Sequence, residues 1–322
     1  MTTAKPQPIL HTIQTGGSGT GHGYYSRYAS SCPLSASLDF SSTFDSGITE
    51  KSGRGLGTIA HAMHELRWKK ILDPKNAAQL TFVEFSQHVD EENRNGAERV
   101  VRYFNEVLPE DDALGDVLEV ESSYPERDPK TGNLTKEGVG QAAVLEDLYS
   151  LPFTFRVDLI TRLNKKQVTR LKNNGALSIG GPVDLKPVKT LWDYKHYGRR
   201  EGNTIDKAIG STQYAAYVQA YNLLHPDDPI EQTVQVSIFT TKDIGIWLTV
   251  VPISEHIEKV AAQLIRMGSF VADNELLITL PSESNCFPYG GLCRHLKDSK
   301  CDRLGPTNLG LVQLKNAGLL ED

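Results

Sequence analysis

The stretch "LWDYKHYG", Leu191 to Gly198, decides how this chain is read. Its bulky apolar and aromatic residues mark a strand. Asp193 and Lys195 stand two positions apart in it, and residues i and i+2 of a strand share a face. Trp192 and Tyr194 take the opposite face. Two accounts of the polar pair are open. One is an exposed ion pair on an edge strand, which contributes little. The other is a hydrolytic pair at a divalent cation. Neighbouring carboxylates repel unless positive charge lies between them, and Mg²⁺ prefers carboxylate oxygen and water. A lysine beside such an ion can orient or activate a water and balance charge on a phosphate.

Upstream, "FTFRVDLITRL" (Phe153 to Leu163) alternates as a strand. The alternation predicts Phe153, Phe155, Val157 and Leu159 on one face, Arg156 and Asp158 on the other. "DVLEVESSY", Asp116 to Tyr124, reads as a further strand, and "TVQVSIFTTKDIGIWLTVVPI" as a hairpin. Helical spacing predicts helices over Gly57–Leu72, Gly96–Leu108 and Thr204–Leu224, and a closing helix capped by Ser254. The polar run "NKKQVTRLKNNG" reads as a turn and an exposed return. Strands interleaved with helices predict an α/β fold, a central mixed β-sheet flanked by helices.

In "GTIAHAMHELRWKKIL" the apolar stripe of Ile59, Ala62, Met63 and Leu66 leaves Gly57, His61 and Glu65 on a free side. Gln213 and Tyr217, four apart, line one face of the helix after the Asp-x-Lys strand. A lone helical histidine or a lone Gln-x-x-x-Tyr is most often an ordinary packing or surface feature. Here their order along the chain gives them weight.

That order resembles the PD-(D/E)XK nuclease superfamily, in particular its RecB-type branch: Gly-x-x-x-His (Gly57, His61), a strand Asp (Asp158), Asp-x-Lys (Asp193, Lys195), then Gln-x-x-x-Tyr (Gln213, Tyr217). The resemblance runs from about Ser26 to Cys301. It implies a restriction-endonuclease-like core and a Mg²⁺- or Mn²⁺-dependent deoxyribonuclease. The implied enzyme is an exonuclease acting on DNA ends or single strands, in recombination, end processing or phage DNA metabolism. It implies that His61, Asp158 and Asp193 hold the metal, with a backbone carbonyl after Asp193 as a further ligand. Lys195 would serve water and phosphate, and Gln213 and Tyr217 would sit beside them. His64 has no counterpart in the pattern. Arg199 and Arg200 in "HYGRREGN", with Lys207 beyond, are candidates for phosphate contact, or simply a solvated loop.

The four cysteines divide as Cys32 against Cys286, Cys293 and Cys301. That one-plus-three division, with Pro33 directly after the first, resembles the iron–sulfur subset of these nucleases, which includes the AddB, CRISPR-associated and phage branches. It implies a structural [4Fe–4S] cluster remote from hydrolysis. Zn²⁺ held by the three C-terminal cysteines with Cys32 or His295 is the competing account. The spacings lack Cys-x-x-Cys.

Composition bounds the rest. The chain has 322 residues with ordinary apolar and charged fractions and a net charge of −6, which argues against an unstructured basic arm coating nucleic acid. No stretch is apolar enough for a membrane span, the first residues have no signal-type core, and a cytoplasmic setting is expected. Residues 1–25 read as a flexible lead-in, with a glycine-rich stretch at 14–23 that lacks the Lys-Ser/Thr of a phosphate loop. Residues 26–275 read as the nuclease core, and 276–322 as the cysteine-bearing segment and tail. No helicase signature is appended, so a motor or recombination partner would be a separate chain. A catalytically weak DNA-binding subunit of a larger complex, and a zinc-stabilised interaction protein, remain the alternatives from other classes.

Overall fold

The computed structural model describes residues 54–72, 91–128, 131–149, 153–197, 204–209, 211–240 and 244–273. All four cysteines, Arg199 and Arg200, the side chain of Lys207, and the segments 1–25 and 276–322 lie outside the described residues. In chain order the elements are α1 (Arg54–Leu72), α2 (Glu91–Val107), β1 (Asp116–Tyr124), α3 (Lys136–Tyr149), β2 (Phe155–Arg162), α4 (Lys165–Asn173), β3 (Leu177–Gly180), β4 (Lys189–Tyr197), α5 (Thr204–Ile209), α6 (Thr212–Leu224), β5 (Gln232–Phe239), β6 (Gly245–Val251) and α7 (Glu255–Asp273). The strands form one sheet in the order β1-β2-β4-β5-β6-β3. β4–β5 and β3–β6 are parallel and the other pairings antiparallel, so the expected α/β architecture with a mixed, helix-flanked sheet is what the chain adopts. No helix among the described residues is long and apolar enough to cross a membrane.

Each face of the sheet carries a core. On one, Tyr149 of α3, Tyr217 and Tyr221 of α6 and Ala261 of α7 cover Phe155, Val157, Ile160 and Leu191. On the other, Trp68 of α1, Phe104 of α2 and Val168 and Leu171 of α4 cover Val120, Leu159, Trp192, Tyr194, Val234 and Val236. β4 is pinned in register between them. Trp192 and Tyr194 are completely buried, and the Trp68 indole donates to the Tyr194 hydroxyl at 2.9 Å. Full burial of such a side chain stabilises by about 1.5–3 kcal/mol. A one-residue slip would forfeit both and drive Asp193 and Lys195 into the Trp68–Phe104 layer. This is why the strand can hold two opposite charges on one face.

Three sequence expectations are corrected. The run after Asn164 is not an exposed return but helix α4, started by a reciprocal cap in which Asn164 Oδ1 accepts the Gln167 N–H and Gln167 Oε1 accepts the Asn164 N–H. Its Gln167, Val168 and Leu171 are buried. The single helix expected over 204–224 is two, because Ser211 caps α6 by accepting the Gln213 N–H. The clean alternation expected along β2 fails between Asp158 and Leu159. Phe155 and Val157 belong to one core and Leu159 to the other. The Ser254 cap of α7 is present, its hydroxyl accepting the Ile257 N–H at 3.3 Å.

Candidate active site

The break in alternation builds the site. On β1, Val120 faces the Trp68 core, yet the next residue, Glu121, turns the same way to reach Arg156 and His61. Glu121 has φ +50°, a left-handed backbone uncommon outside glycine. The flanking pairs Val120↔Leu159 and Ser122↔Val157 place it opposite Asp158. Both strands therefore change phase at the same level. Both carboxylates turn toward α1, which packs against α2, β1 and β4.

At that level β2 and β4 also part. Their ladder ends at Leu159↔Trp192, so β2 no longer takes the backbone groups of Tyr194. Buried backbone polar groups need partners, and side chains of the site supply them. Asp158 Oδ2 accepts the Tyr194 N–H at 2.8 Å, and His61 Nε2 donates to the Tyr194 carbonyl at 2.8 Å. The other ring nitrogen of His61 lies 3.7 Å from Asp158 Oδ2 and 3.9 Å from Glu121 Oε1. His61, Glu121 and Asp158 each offer a ligand atom within 4.8 Å of the others. Two carboxylates, an imidazole and a neighbouring carbonyl are a donor set suited to Mn²⁺ or Mg²⁺.

Asp193 and Lys195 form a second group on the α6 side of β4. Lys195 Nζ lies 2.8 Å from Asp193 Oδ2 and 3.1 Å from Oδ1. Gln213 Nε2 donates to Asp193 Oδ1 at 3.3 Å. The Tyr214 hydroxyl lies 3.1 Å from Asp193 Oδ2 and 2.6 Å from Gln235 Oε1, one proton between two acceptors. Tyr217 is buried against the Phe155 ring, 5.5 Å between centroids.

The structure thus brings together His61 and Asp158, and, within electrostatic reach of Asp158, a second group of Asp193, Lys195, Gln213 and Tyr217. The Tyr217 hydroxyl bonds to Gln213 and feels the charges of Lys195 and Asp193. Asp193 is not one of the three residues whose ligand atoms cluster; Glu121 stands there instead. Of the other residues singled out in the sequence, Glu65 pairs with Lys69 and, at 3.5 Å, with Arg156. A Cβ added at Gly57 would meet nothing within 4 Å, so packing among the described residues does not demand a glycine. His64 is fully buried, stacked on the Tyr194 ring at 4.7 Å, with neither ring nitrogen partnered. Sequence reasoning missed Glu121, Arg156 and Tyr214. A carboxylate in "VESSY" carries no motif, and Tyr214 sits next to Gln213 in what reads as an apolar position.

The electrostatics are those of a place short of positive charge. Burial pushes the Asp158 carboxyl above its ordinary range, and Glu121 adds to that against His61 and Lys195. Burial likewise raises Asp193, with Lys195 opposing and Asp158 adding. Burial lowers His61, but Asp158 and Glu121 together outweigh it and carry its pKa up to about 9. Burial also lowers Lys195, but Asp193 and Asp158 outweigh that, and its pKa ends above the ordinary lysine value. A cation here would relieve both carboxylates.

The His61 shift has a testable sign. A group whose folded pKa exceeds its unfolded value near 6.5 stabilises the fold fully below pH about 6.5, and that contribution is lost as pH rises through about 9. Its size is at most about 3 kcal/mol. Urea denaturation at pH 6.5 and pH 9 is expected to show this fall, and His61→Gln to abolish it. An equal slope in the variant would exclude His61 as its source. Because a metal ligand must shed its proton, Mn²⁺ affinity is expected to climb across the same window.

No protein-family model matches this chain, and no curated protein matches it.

Proposed function

We propose that this chain is a Mg²⁺- or Mn²⁺-dependent deoxyribonuclease of PD-(D/E)XK type, acting as an exonuclease on DNA ends or single strands. The observation that carries the reading is the parting of β2 from β4, with acids, imidazole, lysine and glutamine gathered along the opening. The order of these groups in the chain and their place beside one splayed strand pair support the same reading.

His61, Glu121, Asp158 and the Tyr194 carbonyl would hold the cation, with Asp193 beside them. When bound, the cation supplies charge to the phosphodiester and acidifies a water for in-line attack. The chain's own residues do the rest. Lys195 is kept protonated by Asp193 and Asp158, so it acts as a hydrogen-bond donor and fixed charge, not as a general base. Roughly a third of its side chain reaches solvent, which leaves its ammonium accessible to a phosphate oxygen or a water. Asp193 orients that ammonium, and Gln213 and Tyr214 hold Asp193. The split cysteines make a [4Fe–4S] cluster part of the proposal, with Zn²⁺ as the rival. A brown preparation absorbing near roughly 400 nm distinguishes them.

The test is hydrolysis of end-labelled single- and double-stranded DNA, with defined 5′ and 3′ ends, in Mn²⁺, in Mg²⁺ and in chelator. Cleavage that starts at ends, needs the divalent ion and stops in chelator is the expected result. Intact substrate in every buffer would sink the nuclease reading.

A further inference from the structure

The geometry points to Arg156 as a phosphate-contact residue that a divalent cation at the His61–Glu121–Asp158 group sets free. The inference rests on the proposed nuclease function.

Arg156 lies on β2 two residues before Asp158 and reaches toward α1. An arginine carries five N–H donors in a planar fork suited to two parallel bonds with a carboxylate or phosphate. Arg156 uses that fork poorly. Its Nε lies 2.5 Å from Glu121 Oε2, yet the N–H is not aimed at the oxygen, and Nε has no partner with hydrogen-bond geometry. The contact is an ion pair by proximity alone. Its Nη2 makes one long hydrogen bond, 3.5 Å, to Glu65 Oε2, and Glu65 already pairs with Lys69. A third of the Arg156 side chain is exposed, while Glu121 is only 7 % exposed. The guanidinium is therefore reachable, and no described residue gives it a matched partner.

Glu121 has two claims on it. One oxygen faces Arg156 and the other faces His61, 3.9 Å away. Its left-handed backbone and its place opposite Asp158 aim it at the cation group. A cation and Arg156 thus compete for one carboxylate. The balance of charge decides the outcome. Leaving the imidazole aside, Arg156 with Glu121 and Asp158 sums to −1; a divalent ion makes it +1, and one phosphodiester group restores neutrality. The Asp193–Lys195 and Glu65–Lys69 pairs are each neutral and leave this count unchanged. Once Glu121 turns to the ion, Arg156 is the uncompensated charge, two residues along the strand from the acid that faces the ion. A phosphate oxygen pair offers it the two-bond geometry that the carboxylates deny it.

The experiment uses the full chain and Arg156→Gln, in two arms. In the first, Mn²⁺ is titrated by calorimetry without DNA. The variant is expected to bind Mn²⁺ about 3- to 10-fold more tightly, because removing a competing cation from Glu121 frees that ligand. An unfolded chain could not show this gain. In the second, a single-stranded oligonucleotide is bound in Ca²⁺, to suppress hydrolysis, and again in chelator. In Ca²⁺ the variant is expected to lose about tenfold in affinity, and the slope of log affinity against log salt to shrink by roughly 0.7, one phosphate contact. In chelator, variant and wild type are expected to bind alike. Unchanged or weaker Mn²⁺ binding overturns the competition for Glu121. A DNA-affinity loss of the same size in both buffers overturns release by the cation. A wild-type chain that binds DNA and loses nothing on substitution overturns the phosphate contact alone. A wild-type chain that binds no DNA in either buffer overturns the nuclease reading along with it.

Discussion

For the nuclease proposed here, Lys195→Met is expected to stop metal-dependent DNA cleavage, with kcat falling by about a thousandfold, and to leave Mn²⁺ affinity no weaker. The lysine's ammonium is 2.8 Å from Asp193 Oδ2 and is held cationic by Asp193 and Asp158. One preorganised charged donor aimed at developing negative charge is worth about 10²–10³ in rate. The upper end is expected here because Asp193 and Asp158 hold the ammonium charged and in place. Stability falls too. Removing the lysine leaves Asp193 without its ion-pair partner, but a third of the Lys195 side chain reaches solvent. The cost is therefore expected to be about 1–2 kcal/mol, below the roughly 3–5 kcal/mol of a fully buried pair. Gln213 and Tyr214 still bond to Asp193 and soften that loss. The double variant Asp193→Asn, Lys195→Met is expected to regain most of the melting temperature and none of the activity. Cleavage within tenfold of wild type in Lys195→Met would remove the lysine from the chemistry.

Asp158→Asn has the largest expected effect on metal binding. Its Oδ2 accepts the Tyr194 N–H, and an asparagine oxygen can still accept that bond, so the strand ends keep their arrangement. What disappears is the charge. Asp158 is one of the two carboxylates that hold His61 up to about 9, and its charge is the largest single influence raising it. An NMR titration of the imidazole is expected to show its pKa falling toward the ordinary value, the sign that losing a neighbouring anion dictates. Mn²⁺ affinity is expected to fall at least about 100-fold, more than the 10- to 100-fold typical of a residue that only supports a ligand. Near wild-type Mn²⁺ binding with a shifted His61 titration would mean that Asp158 tunes the histidine and does not ligate.

Much of the frame was legible in the residues. Trp192 and Tyr194 alternate with Asp193 and Lys195, and alternation on a buried strand dictates the register that puts both charges on one face. The apolar stripe of the first helix leaves His61 free, and the structure sets His61 against β4. The strand Asp116–Tyr124 has the expected bounds, and Gln213 reaches Asp193 from the helix after the Asp-x-Lys strand. The helix after Asn164 was not legible as one because its sequence is mostly polar. A two-residue reciprocal cap and three buried side chains outweigh that composition.

What the sequence by itself determined is which residue types stand at which period: an acid, an acid-x-lysine and a histidine, each on an element whose apolar face is unambiguous. Only the tertiary structure decided who meets whom. Glu121 joins His61 and Asp158 because β1 and β2 change phase together. Asp193 is drawn to Lys195, Tyr214 and Gln213 because α6 covers that side of β4. Tyr194 offers its backbone to the site because the β2–β4 ladder stops at Leu159↔Trp192. The physical reason is that periodicity is a local property of the chain. The place where two strands part is set by the helices packed against them from both faces, through contacts far apart in sequence.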